Sequence, residues 1–184
     1  LPIYIIGQSN PDYLVNCAAY TAVDKAETDQ ENCYAINTLA CKNIVEVLAG
    51  KNIKLIHFSS DYVYDHFNGF PIKETDLTNP NGVYAHSKLE GENIIRASEI
   101  SSLIIRTSWV ISSFGHNFVK TILRLGEEKK MLQVVNDQYG APTYARQLAQ
   151  TVLDIILVTS TNKNKESNFN DTYNFANEDR KSVV

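Results

Sequence analysis

Tyr84 and Lys88 stand four residues apart in the stretch Asn-Gly-Val-Tyr-Ala-His-Ser-Lys-Leu-Glu-Gly-Glu at positions 81–92. On a helix this spacing puts the phenol and the ammonium on one face, one turn apart. A charge roughly 4 Å from a phenol is worth about 4 kcal/mol at an effective dielectric of about 20. That is about three pKa units, enough to bring a tyrosine from about 10 towards 7 and make it a proton donor near neutral pH. Ten tyrosines, with a lysine at about one position in fifteen, give roughly 0.65 such pairs by chance. The surroundings must therefore make the pair a site.

Those surroundings alternate between strand and helix. Residues 1–7 read as a short apolar strand ending in Gly7, and residues 13–19 as a second. Two parallel strands need a crossover of about a dozen residues, which 8–12 cannot supply. Either the fold starts differently or the sequence joins across absent residues; the second is favoured, with one Cα pair between Gly7 and Asp12 expected far beyond ~3.8 Å. A short helix is expected over 21–27 and a long one from about 29 to 50, with apolar residues at three and four. A central strand over 53–58 runs into Ser59-Ser60-Asp61-Tyr62-Val63-Tyr64, polar groups at the strand end where open parallel sheets bind ligands. A loop over 65–80 leads into the Tyr84 helix, which reaches about Ala97.

The second half repeats the pattern. A strand over 102–107 ends in Arg106-Thr107-Ser108-Trp109. An amphipathic helix follows over 117–130, with Phe118, Ile122 and Leu125 inward. A strand is expected over 132–135, then the tight stretch Asn136-Asp137-Gln138-Tyr139-Gly140-Ala141-Pro142-Thr143. Thr143 is expected to cap the next helix. A polar loop over 161–171 and a last strand over 172–176 complete the chain. The fold class is α/β with a doubly wound, mainly parallel sheet, in one domain over 1–184.

Composition narrows the function. A length of 184 residues with 43% hydrophobic and 21% charged residues fits one folded domain. The net charge of −4, with no dense basic run, argues against nucleic-acid and membrane-surface roles. No secretory signal or long apolar span is visible, so a cytoplasmic location is expected. Cys17, Cys33 and Cys41 lack metal or redox spacing and read as reduced, buried thiols. His57, His66, His86 and His116 are scattered without ligand spacing, so no metal site is expected.

Four blocks carry a resemblance: Asn16-Cys17-Ala18-Ala19-Tyr20-Thr21-Ala22-Val23-Asp24-Lys25-Ala26-Glu27, Ser59 to Tyr64, Arg106-Thr107-Ser108-Trp109-Val110, and 136–143. Together with Tyr84 and Lys88 they resemble, in order, the dTDP-4-dehydrorhamnose reductase family of extended short-chain dehydrogenases/reductases. The resemblance implies reduction of the 4-keto group of dTDP-4-dehydro-L-rhamnose with NADPH or NADH. It implies catalytic Ser60, Tyr84 and Lys88, with Tyr84 giving the proton, Lys88 lowering its pKa and holding the nicotinamide ribose, and Ser60 bonding the same substrate oxygen. Ala18, Ala19, Tyr20 and Thr21 would line the cofactor, with Gly7 the remnant of its phosphate turn. Thr21, Val23, Ser60, Asp61, Tyr62 and Trp109 would meet the sugar nucleotide. The resemblance also suggests a homodimer and allows for magnesium, which no carboxylate cluster demands.

The departures are a serine at position 60 where members often have threonine, Ala85 where glycine is usual, and no complete glycine-rich phosphate loop. The end of the chain falls where a substrate-covering region is expected, so further residues are expected after 184. Two other readings stand beside the reductase. One is a nucleotide-sugar epimerase or dehydratase sharing Tyr-x-x-x-Lys, and the other a catalytically idle regulatory subunit. The 136–143 stretch speaks against the first, and intact Ser60, Tyr84 and Lys88 against the second.

Overall fold

The computed structural model describes residues 2–64, 71–134, 140–161 and 169–176. Four parallel strands form one sheet in the order β1-β2-β3-β6: β1 (Tyr13–Asn16), β2 (Lys54–Ser60), β3 (Ser102–Thr107) and β6 (Asp171–Phe175). The sheet is buried on both faces. Leu55 of β2 and Ile104 of β3 face α4 (Ala40–Leu48) and α5 (Gly82–Arg96), where they meet Cys41, Leu48 and Ile95. Ile56, Leu103 and Ile105 face the other way, against Leu148 and Val152 of α7 (Ala145–Thr161). This two-sided burial is why the strands read as apolar runs and not as alternating ones.

The chain begins differently from its sequence expectation. Residues Pro2–Ser9 form a helix, α1, and not a strand. A short apolar run fits either state, and burial decides: Ile6 packs on the Leu48 and Ile53 cluster while Tyr4 and Ile5 are exposed. Asn10, with φ 42°, ends the helix and donates its N–H to the Ile6 carbonyl at 3.3 Å. The crossover argument for absent residues between Gly7 and Asp12 rested on two successive strands, and that premise fails. Gly7 lies inside α1, so it does not form a turn after a strand.

The expected helix over 29–50 is continuous but not uniform. It comprises α3 (Gln30–Tyr34), a π-helical turn over Ala35–Leu39, and α4. Two short strands, β4 (Val110–Ile111) and β5 (Thr143–Tyr144), pair with each other outside the main sheet. Thr143 therefore does not cap α7; its hydroxyl lies 3.1 Å from that of Thr107. Residues 131–134 have no regular structure, against the strand expected there. In α6 (Phe118–Glu128) no residue is buried, and the expected inward Phe118 is 48% exposed. Cys33 and Cys41 are buried as expected, whereas Cys17 is exposed. Asp137, Gln138 and most of the 161–171 loop lie outside the described residues.

Candidate active site

The carboxyl ends of three neighbouring strands define the site. Asn16 of β1 pairs in register with His57, and Ser60 of β2 with Thr107 of β3, so β2 runs three residues beyond β1. Ser60 ends its strand in extended conformation and caps a single 3₁₀ turn, Asp61–Val63. Its Oγ accepts the Tyr62 N–H at 3.2 Å and donates to Asp61 Oδ1 at 3.2 Å. Burial pushes the Asp61 carboxyl up to about 6 despite those bonds.

The α5 helix brings Tyr84 to this strand end. Its start is fixed from outside: Glu27, just after α2 (Val23–Ala26), accepts the Val83 N–H at 2.8 Å, while Asn81 makes no side-chain cap. Gly82 has φ 82°, and a Cβ there would lie 2.8 Å from the same Glu27 oxygen. The position therefore takes glycine for both conformation and space.

Tyr84 is 9% exposed, and its ring meets Tyr62 edge-on with centroids 5.6 Å apart. Burial pushes the phenol above its ordinary value, Asp61 and Tyr62 add to this, and only the adjacent Ser60 hydroxyl pulls it down. Lys88 is 2% exposed and donates from Nζ to the Phe58 carbonyl at 2.7 Å. Burial lowers its pKa, opposed by Cys41, Glu92 and Cys33. The expectation that Lys88 depresses Tyr84 is thus corrected. Both residues lie on one helix, but the ammonium is anchored to the β2 backbone and the phenol stands above its usual range.

The other expected residues separate into groups. Ser60, Asp61, Tyr62 and Tyr84 are brought together. Tyr64 is buried and bonded to Arg106 and Asn174, whereas Tyr62 is half-buried beside Tyr84. Ala18, Ala19 and Thr21 are exposed just past β1, and Val23 is half-buried at the start of α2. Trp109 lies two residues past Thr107 in the left-handed region, φ 42°. Such a conformation in an aromatic residue stores on the order of 1–3 kcal/mol of strain. Gly7 lies within α1.

Sequence reasoning missed three supports. Asn37, in the π turn, accepts the Tyr20 N–H on Oδ1 at 2.9 Å. Its Nδ2 donates to the Tyr20 carbonyl at 3.2 Å and to Ser87 Oγ at 3.0 Å. It therefore ties the segment after β1 to the Tyr84 helix. Its position four residues from both Cys33 and Cys41, on the apolar stripe, was the available signal. Glu92, one turn beyond Lys88, is fully buried and accepts Arg106 Nε at 3.0 Å and Arg106 Nη2 at 2.7 Å. His57, under the site, has Nδ1 3.0 Å from Asn16 Nδ2; burial first and the Lys88 charge second take it down to about 3.

The residues near the strand ends suit one half of a nicotinamide cofactor: small, exposed Ala18 and Ala19, a pinned Tyr20 backbone and a buried ammonium at Lys88. No glycine-rich strand-to-helix turn for a pyrophosphate is found among the described residues. No group of metal-holding side chains occurs among the described residues either.

A parallel sheet covered by helices, with a strand-end serine beside Tyr-x-x-x-Lys, defines the short-chain dehydrogenase/reductase class. The profile of the RmlD substrate binding domain matches residues 4–184. The dTDP-4-dehydrorhamnose reductase of Aggregatibacter actinomycetemcomitans is 40% identical over 151 residues, covering 82% of this chain and 51% of that protein. The Escherichia coli enzyme of the same name is 44% identical over 148 residues, covering 80% and 50%. The crystal structure of the Bacillus anthracis dTDP-4-dehydrorhamnose reductase in complex with NADP superposes with a TM-score of 0.86 at 32% identity, covering 96% of this chain and 60% of that one. The chain belongs to the dTDP-4-dehydrorhamnose reductase family. It spans about half the length of the curated relatives it matches.

Proposed function

We propose that the protein reduces the 4-keto group of dTDP-4-dehydro-L-rhamnose to give dTDP-L-rhamnose, using NADPH or NADH. The observation that carries this reading is the Ser60 hydroxyl beside the Tyr84 phenol at the carboxyl end of β2, with Lys88 buried one turn further on. A nicotinamide cofactor, when bound, supplies the hydride for the carbonyl carbon. Tyr84 holds the proton that the carbonyl oxygen needs. Ser60, already a donor to Asp61, turns its hydroxyl to the same oxygen as charge develops there. Lys88, fixed to the Phe58 carbonyl, has two further N–H donors for a ribose hydroxyl.

Asp61, Tyr62 and Trp109 are proposed to meet the sugar nucleotide, Thr21 and Val23 its edge, and Ala18 to Thr21 the cofactor. The relative from Bacillus anthracis crystallised with NADP supports the cofactor class. A cytoplasmic homodimer is part of the same reading; light scattering on the purified protein reads the oligomer. Among the described residues, no helix is long and apolar enough to cross a membrane.

The deciding assay mixes the full-length protein with NADPH or NADH and the verified 4-keto sugar nucleotide, and follows cofactor absorbance. Stoichiometric cofactor oxidation with formation of dTDP-L-rhamnose is the expected result. No consumption with either cofactor would exclude the reductase.

A further inference from the structure

Trp109 is held in its strained conformation by a cross-tie to the segment that ends in β5. Ser108 Oγ donates to the Ala141 carbonyl at 2.8 Å, and the Thr143 N–H donates to the Trp109 carbonyl at 3.1 Å. Thr107 and Thr143 meet through their hydroxyls, and Val110 pairs with Thr143 in the β4/β5 ladder. Four consecutive residues, 107–110, are thus tied to 141–143. The next residue back along that segment is Gly140, which arrives against the indole.

A Cβ built on Gly140 would lie 2.9 Å from Trp109 Cε2, 3.1 Å from Cζ2 and 3.3 Å from Cδ2. Cε2 and Cδ2 are the carbons shared by the two rings, and Cε2 is bonded to ring atoms in all three in-plane directions. An atom that close to both stands over the ring face and not at its edge. The glycine backbone therefore covers one indole face, and even a methyl group there would displace the ring. The ring it seats is the one placed two residues past the strand end that pairs with Ser60.

We propose that Gly140 is a positioning residue: by lacking a side chain it seats the Trp109 indole, and through that ring it sets the wall of the sugar-nucleotide crevice. The inference rests on the function proposed above and deepens it. It gives Gly140 an indirect part in substrate recognition, exerted through the Trp109 ring. The ligand chemistry is that of a flat or apolar surface able to pack on an indole, as a deoxysugar carrying a thymine base provides.

The test reads the ring and the ligand separately. Trp109 is the chain's single tryptophan, and subtracting the emission of a matching Trp109→Phe protein isolates its signal in any context. Gly140→Ala is expected to shift that emission and raise its quenching by acrylamide. Gly126→Ala, at a glycine where an added Cβ meets nothing, is expected to leave both unchanged. Calorimetric titration with dTDP then compares the parent, Gly140→Ala, Trp109→Leu and the double variant. Gly140→Ala should weaken dTDP binding about tenfold with Trp109 present and have little effect in the Trp109→Leu background.

Unchanged emission in Gly140→Ala would overturn the proposal. So would equal loss of affinity in both backgrounds, which would trace the effect to the backbone at position 140 and not to the ring. If Gly140→Ala does not fold, the double variant decides: recovery of folding without the indole supports the seat, and continued unfolding overturns it. A parent protein that ignores dTDP while its Gly140→Ala variant shifts the Trp109 emission would overturn the sugar-nucleotide reading and leave the seat standing.

Discussion

Tyr84 keeps its proton firmly, because burial disfavours the phenolate and the Asp61 charge adds to this against the pull of the Ser60 hydroxyl. Removing that one oxygen takes away the proton without opening a cavity. Tyr84→Phe is expected to lower turnover by about 10²–10⁴-fold while thermal unfolding followed by circular dichroism stays close to the parent. A variant retaining near-normal rates would disprove the donor role. Asp61 gives a pH signature. Its folded value of about 6 lies above its ordinary 3.8, so the folded chain binds this proton more tightly. The contribution to stability is greatest below the unfolded value and is lost as pH rises through about 6. Asp61→Asn should therefore gain stability relative to the parent as pH is raised across that window; urea titrations at both ends measure it. The types and order of Ser60, Asp61, Tyr62, Tyr84 and Lys88 were legible because each sits at a strand end or helix start that the pattern located. The direction of the Lys88 side chain was not, because the Phe58 carbonyl that captures it belongs to another element.

The α5 helix is held at three heights by groups from other elements: Glu27 at its first turn, Asn37 at Ser87 in its middle, and Arg106 at Glu92. Glu27→Ala leaves the Val83 N–H without its cap and should cost about 1 kcal/mol, typical of a lost helix cap. A matching rise in KM would show that α5 is displaced as well as weakened. Arg106→Met is more severe, because among the described residues the fully buried Glu92 would keep Arg96 as its only ion-pair contact, at 2.6 Å. Breaking one side of such a pair costs about 3–5 kcal/mol, and denaturant midpoints read it directly. At this scale the sequence was legible where apolar spacing spanned several turns, as in the helical run over 30–48. It failed at residues 1–7 and 132–134, where a short apolar run has no period to distinguish helix, strand and coil. The π turn was invisible because it changes hydrogen bonding without changing composition.

The parallel sheet was legible as a whole because strands buried on both faces carry continuous apolar runs and alternate with helices of proper length. The docking of α6 was not: its strong amphipathic pattern suggests a packed face, yet no residue of it is buried. Stability should be uneven for that reason. Amide exchange in β2 and β3, at the centre of the sheet, is expected to follow global unfolding, while α6 exchanges through local opening at a far lower cost. Hydrogen exchange by mass spectrometry separates the two, and equal protection would refute the contrast. The same logic places the cofactor's two ends differently. On the proposed reading the nicotinamide end would meet the terminus of β2, and among the described residues no glycine turn is found for a pyrophosphate.

Gly91 faces the π turn so closely that a Cβ would strike the Asn37 carbonyl and approach Cys41 Sγ to 3.1 Å. Backbone meets backbone there, with no flexible side chain to yield. A mutational library aimed at new sugar substrates can vary the outer face of α5 freely, but at position 91 only glycine will survive selection. Recombination between relatives should likewise exchange the 30–48 and 82–96 segments as one block, since each helix carries the imprint of the other.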